Sequence, residues 1–439
     1  MMRAAVIGGG ISGIASAYYL MQHNISVDLY ESADRIGGRI GSERLGERWL
    51  DFGGKNIGKN YRLFRDFVLD CGVSDFEYFG FNTSQVIGGR VVSINKEGAR
   101  LFNAIRFFGL CGFSGLRKLY PHVRAILNDR RQGVLASEYF SALAEEYDHL
   151  SLAGYLKEPC LSHIVRPVTV RMNGAEPDEC YPGNFGSNLA LLLDSYEQLQ
   201  QGMHGMLEAF QLPARSALLR ILPAHRVTSV NRDHGKGAVM IGYEYEGRSL
   251  SAEYDRVVSA LPALRLSELL ETFCPEVSVL LRRIQYFPVA VAIVKYRQNV
   301  FPKEQRAMVF DDSFPLSNAG AYGINDLDLV RYTFSGRAAR AMVSDRSQPE
   351  AVITLGEEIA GRYFTIKDNT RESFVFRYLS EGLCAYSPYH HRLLAEVDQK
   401  LDFFSGFAAT GDYRRGASIE ACFRAAGECV HKLLDGGKD

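Results

Sequence analysis

A short apolar run, Arg3-Ala4-Ala5-Val6-Ile7, leads straight into Gly8-x-Gly10-x-x-Gly13, and no other stretch restricts the fold as much. The run suits a buried parallel strand. After the glycines, Ile14 to His23 carries a helical pattern that Asn24 ends, and Ile25 to Tyr30 reads as a second strand closing at Glu31, 18 residues beyond Gly13. Each part has a task in a strand–helix–strand unit that binds a dinucleotide. Gly8 allows the tight turn, Gly10 lets backbone approach a pyrophosphate, and Gly13 lets the helix pack on the strand. The amides of Ile11 and Ser12 at the helix start face the phosphate charge. Glu31 can accept from both hydroxyls of an adenosine ribose.

The next motif points to FAD rather than NAD. Arg35-x-Gly37-Gly38-Arg39-x-x-Ser42 follows the second strand. Its paired glycines permit close approach, and Arg39 can neutralise a pyrophosphate that a helix start satisfies only in part. A second pair follows in Asp51-Phe52-Gly53-Gly54, continued by Lys55 and Asn56. The Asp-Phe-Gly triplet also occurs in protein kinases, whose other elements are missing here.

These segments together resemble the flavin-containing amine oxidase and protoporphyrinogen oxidase superfamily, in which a glycine fingerprint is followed by Gly-Gly-Arg and Asp-x-Gly-Gly. Two distant segments support the likeness. His225 to Val230 reads as a strand, followed by a hairpin-like pattern to Gly247 and by Val257-Val258-Ser259-Ala260-Leu261-Pro262. Phe407 to Tyr413, containing Gly411-Asp412, precedes Gly416-Ala417-Ser418-Ile419 and a helical pattern to Leu434. The resemblance implies that the backbone of Val227 meets the adenine, that Asp412 bonds the ribityl chain, and that amides near Ser418 and Ile419 face the flavin pyrimidine. It implies an α/β fold: a Rossmann-like FAD-binding domain assembled from residues 1–80, 201–264 and 396–439. Residues 81–200 form a largely helical substrate domain, and residues 265–395 its mixed sheet plus helices. Gln201-Gly202-Met203 resembles the start of the helix that re-enters the flavin domain.

Arg283 to Val294 reads as an aromatic turn entering a β-strand, and many amine oxidases of this superfamily carry a lysine near flavin N5 in that strand. Alignment puts Val291 at that position; Lys295 shares its face four residues on. This departure, with Gly416-x-Ser-Ile-x-x-Cys422, resembles the protoporphyrinogen oxidase and desaturase branch. Tyr378 stands where relatives carry an aromatic residue beside the ring, with Tyr386, Tyr389 and His390 close behind, and Asn56, Val291 and Tyr378 are the candidates nearest the flavin. The resemblance implies hydride removal from an apolar or aromatic small molecule, by C–N or C–C desaturation, with oxygen or another acceptor reoxidising the flavin. A flavin-dependent isomerase or a non-catalytic FAD-stabilised binding protein would share the same motifs. A class A hydroxylase needs a mid-chain Asp-Gly, whereas the only one here is Asp435-Gly436.

Composition narrows the partners. With 50 Lys and Arg against 51 Asp and Glu, no global field favours nucleic acid. Residues 96–131 are locally basic, from Lys96 and Arg100 to Arg130 and Arg131, with Phe102, Ile105, Phe107, Phe108, Phe113 and Tyr120 interleaved. Two readings stand: a substrate-domain helix with an apolar face on a channel and a wet basic face, or a helix lying weakly on a membrane surface. Eight scattered cysteines without a Cys-x-x-Cys pair suit reduced thiols, and dispersed histidines suit no metal site. The N-terminal run is too short for an export signal, so a cytoplasmic location is expected.

Overall fold

A computed structural model describes residues 2–78, 82–95, 100–212, 217–232, 238–302, 305–366 and 370–435. Lys96 and Gly436 lie outside the described residues, as do the side chains of Arg100 and Phe102.

The apolar run forms the strand Arg3–Ile7 at the centre of a five-stranded parallel sheet. Its order is Leu219–Leu222, Ser26–Tyr30, Arg3–Ile7, Arg256–Ser259, Phe407–Ala409. Strands from the beginning, middle and end of the chain therefore share one sheet. Being covered on both faces, these strands are mostly apolar, with Asp28 and Arg220 paired across two neighbouring strands. On one face the helices Ile11–Gln22 and Ile419–Asp435 pack together over Val6, Val27, Leu29 and Val258. On the other face Ala5, Ile7 and Tyr30 pack with the antiparallel sheet Arg226–Arg232, Val239–Tyr245, Arg248–Tyr254.

A second sheet has seven strands, in the order Arg371–Cys384, Tyr286–Tyr296, Leu329–Phe334, Leu316–Ala321, Ala307–Val309, Asn82–Ile87, Arg90–Asn95. It is antiparallel except where Ala307–Val309 runs parallel to Asn82–Ile87. The hairpin Asn82–Ile87 and Arg90–Asn95 thus joins this sheet, although the sequence placed it at the head of a largely helical stretch. Helices do follow it: the stretch Arg100–Asn128, two helices joined by a kink at Gly112, then Glu138–Tyr147, Arg166–Asn173 and Phe185–Leu192. Pro167 and Pro182 start helical turns rather than ending them, because a first-turn residue needs no amide hydrogen.

The apolar residues of Arg100–Asn128 do not all turn inward. Leu110, Leu119 and Ile126 are buried, but Ile105, Phe108, Phe113 and Tyr120 stand in solvent beside Arg106, Arg117 and Lys118. No helix among the described residues is long and apolar enough to cross a membrane.

Candidate functional site

The glycine loop is built as its spacing predicts. Gly8 turns the chain at φ 103°, and its amide donates to Tyr30 O at 2.8 Å. A Cβ on Gly13 would lie 1.8 Å from Gly8 O, so the helix can dock on the strand only with glycine there. The first intrahelical bond runs from Ile14 N to Gly10 O, and no side chain caps the helix. The amides of Ile11, Ser12 and Gly13 are therefore left to an outside acceptor. A Cβ on Gly10 would meet nothing within 4 Å. Uncapped amides beside open space are what a pyrophosphate requires, and a dinucleotide fits them.

The second loop abuts the first. Gly37 bridges Gly10, and a Cβ on Gly38 would sit 3.3 Å from Gly10 Cα. Arg39 follows at once, and one nitrogen of its guanidinium is already engaged. Nη1 donates to Asp412 Oδ2 at 2.7 Å and to Gly382 O at 3.3 Å. The other oxygen of Asp412 accepts from the Tyr286 hydroxyl at 2.8 Å, and Tyr386 donates to its backbone O at 2.6 Å. Burial and then Asp412 push the Tyr286 phenol well above its usual range, so it remains a donor. Arg39 and Asp412, assigned separately to pyrophosphate and ribityl chain, are here partners of one another. Tyr286, which the sequence reading treated only as part of a strand entrance, completes the group.

Glu31 accepts from Gly9 N on Oε2 and from Ala33 N on Oε1, both at 2.8 Å, and from Ser32 Oγ on Oε1 at 3.2 Å, which leaves Oε2 a lone pair for a ribose hydroxyl. His225 N donates to Glu31 O at 2.8 Å and so holds the strand Arg226–Arg232, with Val227 near its start, against the end of Ser26–Tyr30. The His225 ring stacks on Tyr245 at 4.1 Å, an aromatic corner that no motif announced.

Asp51, Gly53 and Gly54 join the domains. Asp51 is buried, accepting from Ser42 Oγ at 2.5 Å and Met203 N at 2.9 Å, while its own amide donates to the Tyr322 hydroxyl at 2.7 Å. A Cβ on Gly53 would lie 1.8 Å from Arg39 O, and one on Gly54 would lie 3.7 Å from Ile419 Cδ1. The glycine pair thus lies between the Gly-Gly-Arg loop and the start of the last helix, where the Ser418 hydroxyl accepts from Ala421 N at 3.1 Å. Arg331 donates from Nη2 to Phe52 O and Gly53 O, each at 3.0 Å; nothing in its sequence context marks it. Lys55 points inward, with Nζ 2.9 Å from Gln198 Oε1 and 2.7 Å from Tyr322 O. Burial, and then the Arg331 charge, hold its pKa well below that of an ordinary lysine. Asn56 is exposed.

The near-flavin candidates part company at the large sheet. Val289, Val291 and Ile293 pack with Leu50 and Phe52, so this face meets the Asp51–Gly54 segment. Tyr378 pairs with Ala290, and directly opposed antiparallel residues share a face. Tyr378 therefore packs with Tyr332, Phe334 and the helix Pro349–Ala360, on the side away from Phe52. Its placement beside the ring does not agree with this register. The residue opposite Val291 is Arg377, whose guanidinium lies 5.6 Å from the Phe52 ring centroid. Lys295 shares the face of Val291 but ends on Asp328 at 2.5 Å.

Tyr386 and His390 are structural. Tyr386 is buried on Asp412 O, and the His390 Nε2–H donates to Tyr413 O at 2.9 Å. Among the described residues no group of three His, Cys, Asp or Glu is arranged to hold a metal. A cavity of about 550 Å³ is lined in part by Arg256, Arg414 and Lys432 and includes none of the cradle glycines.

The sequence profile described as flavin-containing amine oxidoreductase matches residues 11–380. Coproporphyrinogen III oxidase of Mycobacterium tuberculosis is 23% identical over 464 residues, covering 98% of this chain and 97% of that protein. Cyclohexylamine oxidase of Brevibacterium oxydans superposes with a TM-score of 0.73 at 18% identity, over 99% of both chains. A fatty acid isomerase from P. acnes does so at 0.67 and 12% identity, again over 99% of both.

Proposed function

The chain belongs to the flavin-containing amine oxidoreductase family and is an FAD-dependent oxidoreductase, and from that premise we propose that it dehydrogenates an apolar or aromatic ring substrate. FAD supplies the hydride acceptor when bound. The residues proposed to hold it are Gly8, Gly10, Ile11, Ser12, Gly13, Glu31, Gly38, Arg39, Gly53, Gly54, Lys55, Asn56, Val227, Gly411, Asp412, Ser418 and Ile419. The uncapped amides after Gly10 serve the pyrophosphate, and the Arg39–Asp412–Tyr286 group positions the chain that follows. The observation that carries the substrate reading is the apolar patch of Val289, Val291, Ile293, Leu50 and Phe52, where many relatives place a lysine. Closed against Leu50 and Phe52, this face excludes water and offers no acid or base on Val291 itself. Lys295, tied to Asp328, does not replace it.

The full-length likeness to a coproporphyrinogen III oxidase supports a tetrapyrrole-type ring over a small primary amine. An anaerobic titration tests this. Coproporphyrinogen III should bleach the visible bands of the bound flavin and cyclohexylamine should not. Bleaching by the amine alone would overturn the substrate reading, and substrate turnover without net bleaching would favour the isomerase. We assign the protein to the cytoplasm, supported by eight cysteines of which none forms a disulfide. Contact with a membrane surface is supported by Ile105, Phe108 and Phe113, the last 74% exposed, beside Arg106 and Arg117. Anionic vesicles should sediment the wild type and not the Phe108→Ser, Phe113→Ser double variant.

A further inference from the structure

Two thiols in the helical unit face each other. Cys111 and Cys160 are 49 residues apart in sequence, and their sulfurs lie 3.3 Å apart with neither residue exposed. Cys111 precedes Gly112, where the stretch Arg100–Asn128 leaves helical geometry at φ 66° and ψ 165°. Cys160 precedes the turn Leu161–Val165. Gly115 makes the meeting sterically feasible. A Cβ there would come within 2.5 Å of Cys160 Cβ and 3.0 Å of both sulfurs, so any larger residue would push the second thiol away. The hydrogen bond between the two thiols is the main influence on Cys111 and lowers its pKa.

We propose that Cys111 and Cys160 form a thiol-oxidation site, closed to a disulfide by hydrogen peroxide and reopened by a dithiol. The Cys111 thiolate attacks one peroxide oxygen; the O–O bond breaks, and the departing hydroxide takes a proton to leave as water. The Cys160 sulfur then attacks the resulting sulfenic sulfur, the S–O bond breaks, and a second water forms with the Cys160 proton. In sum two thiols and one peroxide give one disulfide and two waters, with two electrons passing from sulfur to oxygen. The sulfurs must close by about 1.3 Å to reach disulfide length. Gly112, adjacent to Cys111 and at φ 66°, gives the backbone freedom for that shift. The bond would fasten the exposed basic helix to the segment running through Arg166–Asn173, whose Asn173 Nδ2 donates to Cys384 O at 3.0 Å on the large sheet.

The test uses the purified holoprotein, treated with hydrogen peroxide, alkylated after denaturation and mapped by mass spectrometry without reduction. A Cys111–Cys160 linked peptide should appear, two of the eight thiols should be lost, and dithiothreitol should restore both. The melting temperature should rise by a few degrees in wild type and stay unchanged in Cys160→Ala. If both cysteines remain alkylatable, or oxidise separately to sulfinic acid, the proposal fails. The mapping of wild-type protein decides this even if the variant does not fold.

Discussion

Single residues at the cradle tolerate little. Gly13→Ala would place a methyl group 1.8 Å from Gly8 O, and only a shift of the whole first helix could relieve it. A loss of about 3 kcal/mol or more is expected, read as a lower urea midpoint together with loss of bound FAD. Arg39 acts by charge. Its bond to Asp412 holds the two loops together, so Arg39→Gln should weaken FAD binding about tenfold or more, on the roughly 1.5–3 kcal/mol of a charged hydrogen bond. Fluorescence titration of the apoprotein with FAD measures this. An unchanged affinity would remove Arg39 from the cofactor site.

At the scale of elements, the strand Tyr286–Tyr296 separates two roles by its alternation. Val289, Val291 and Ile293 face the Asp51–Gly54 segment, while Ala290, Ala292 and Val294 join the cluster beneath the outer helices. Lys295 sits at the end of the first row, half-exposed and paired with Asp328. Lys295→Ala should therefore change kcat by less than about twofold and stability by no more than about 1 kcal/mol. A hundredfold loss of turnover would mean that the lysine reaches the reacting centre and that the substrate reading is wrong.

For the whole molecule, acid should be destabilising through buried histidines. His122, held between the Tyr139 and Tyr155 hydroxyls, and His390, on Tyr413 O, are both lowered to about 4 by burial. Below pH 6.5 the unfolded chain binds protons at these positions while the folded chain does not, so stability falls as pH drops from about 6.5 towards about 4. Each contributes up to about 3 kcal/mol at the acid end. The melting temperature followed from pH 7 to pH 4.5 checks the sign, and His122→Gln should flatten the slope. Because the parallel sheet takes Phe407–Ala409 as its edge strand and the last helix packs on the first, a chain ending at residue 395 should not retain FAD; its visible spectrum after purification tests this.

What the sequence determined by itself is local. Turns at Gly8 and Gly37, close packing at Gly13, an acid at a strand end and a serine before a helix are fixed by spacing over a few residues, where covalent geometry and backbone sterics leave few alternatives. That distant segments belong to one parallel sheet was legible for the same reason, since the glycine loop and the Gly411-Asp412 segment each bear a short motif. Tertiary structure decided everything that depends on pairing between distant strands. Only register shows that Tyr378 faces away from Phe52 while Arg377 faces towards it, because a shift of one residue exchanges the faces of a strand. The hairpin at 82–95 gives no sign of its partner Ala307–Val309, more than two hundred residues later. Arg331 on the Phe52 and Gly53 carbonyls, Arg39 on Asp412, and Cys111 against Cys160 likewise arise from chain packing, which brings together residues whose own neighbours in sequence carry no trace of the contact.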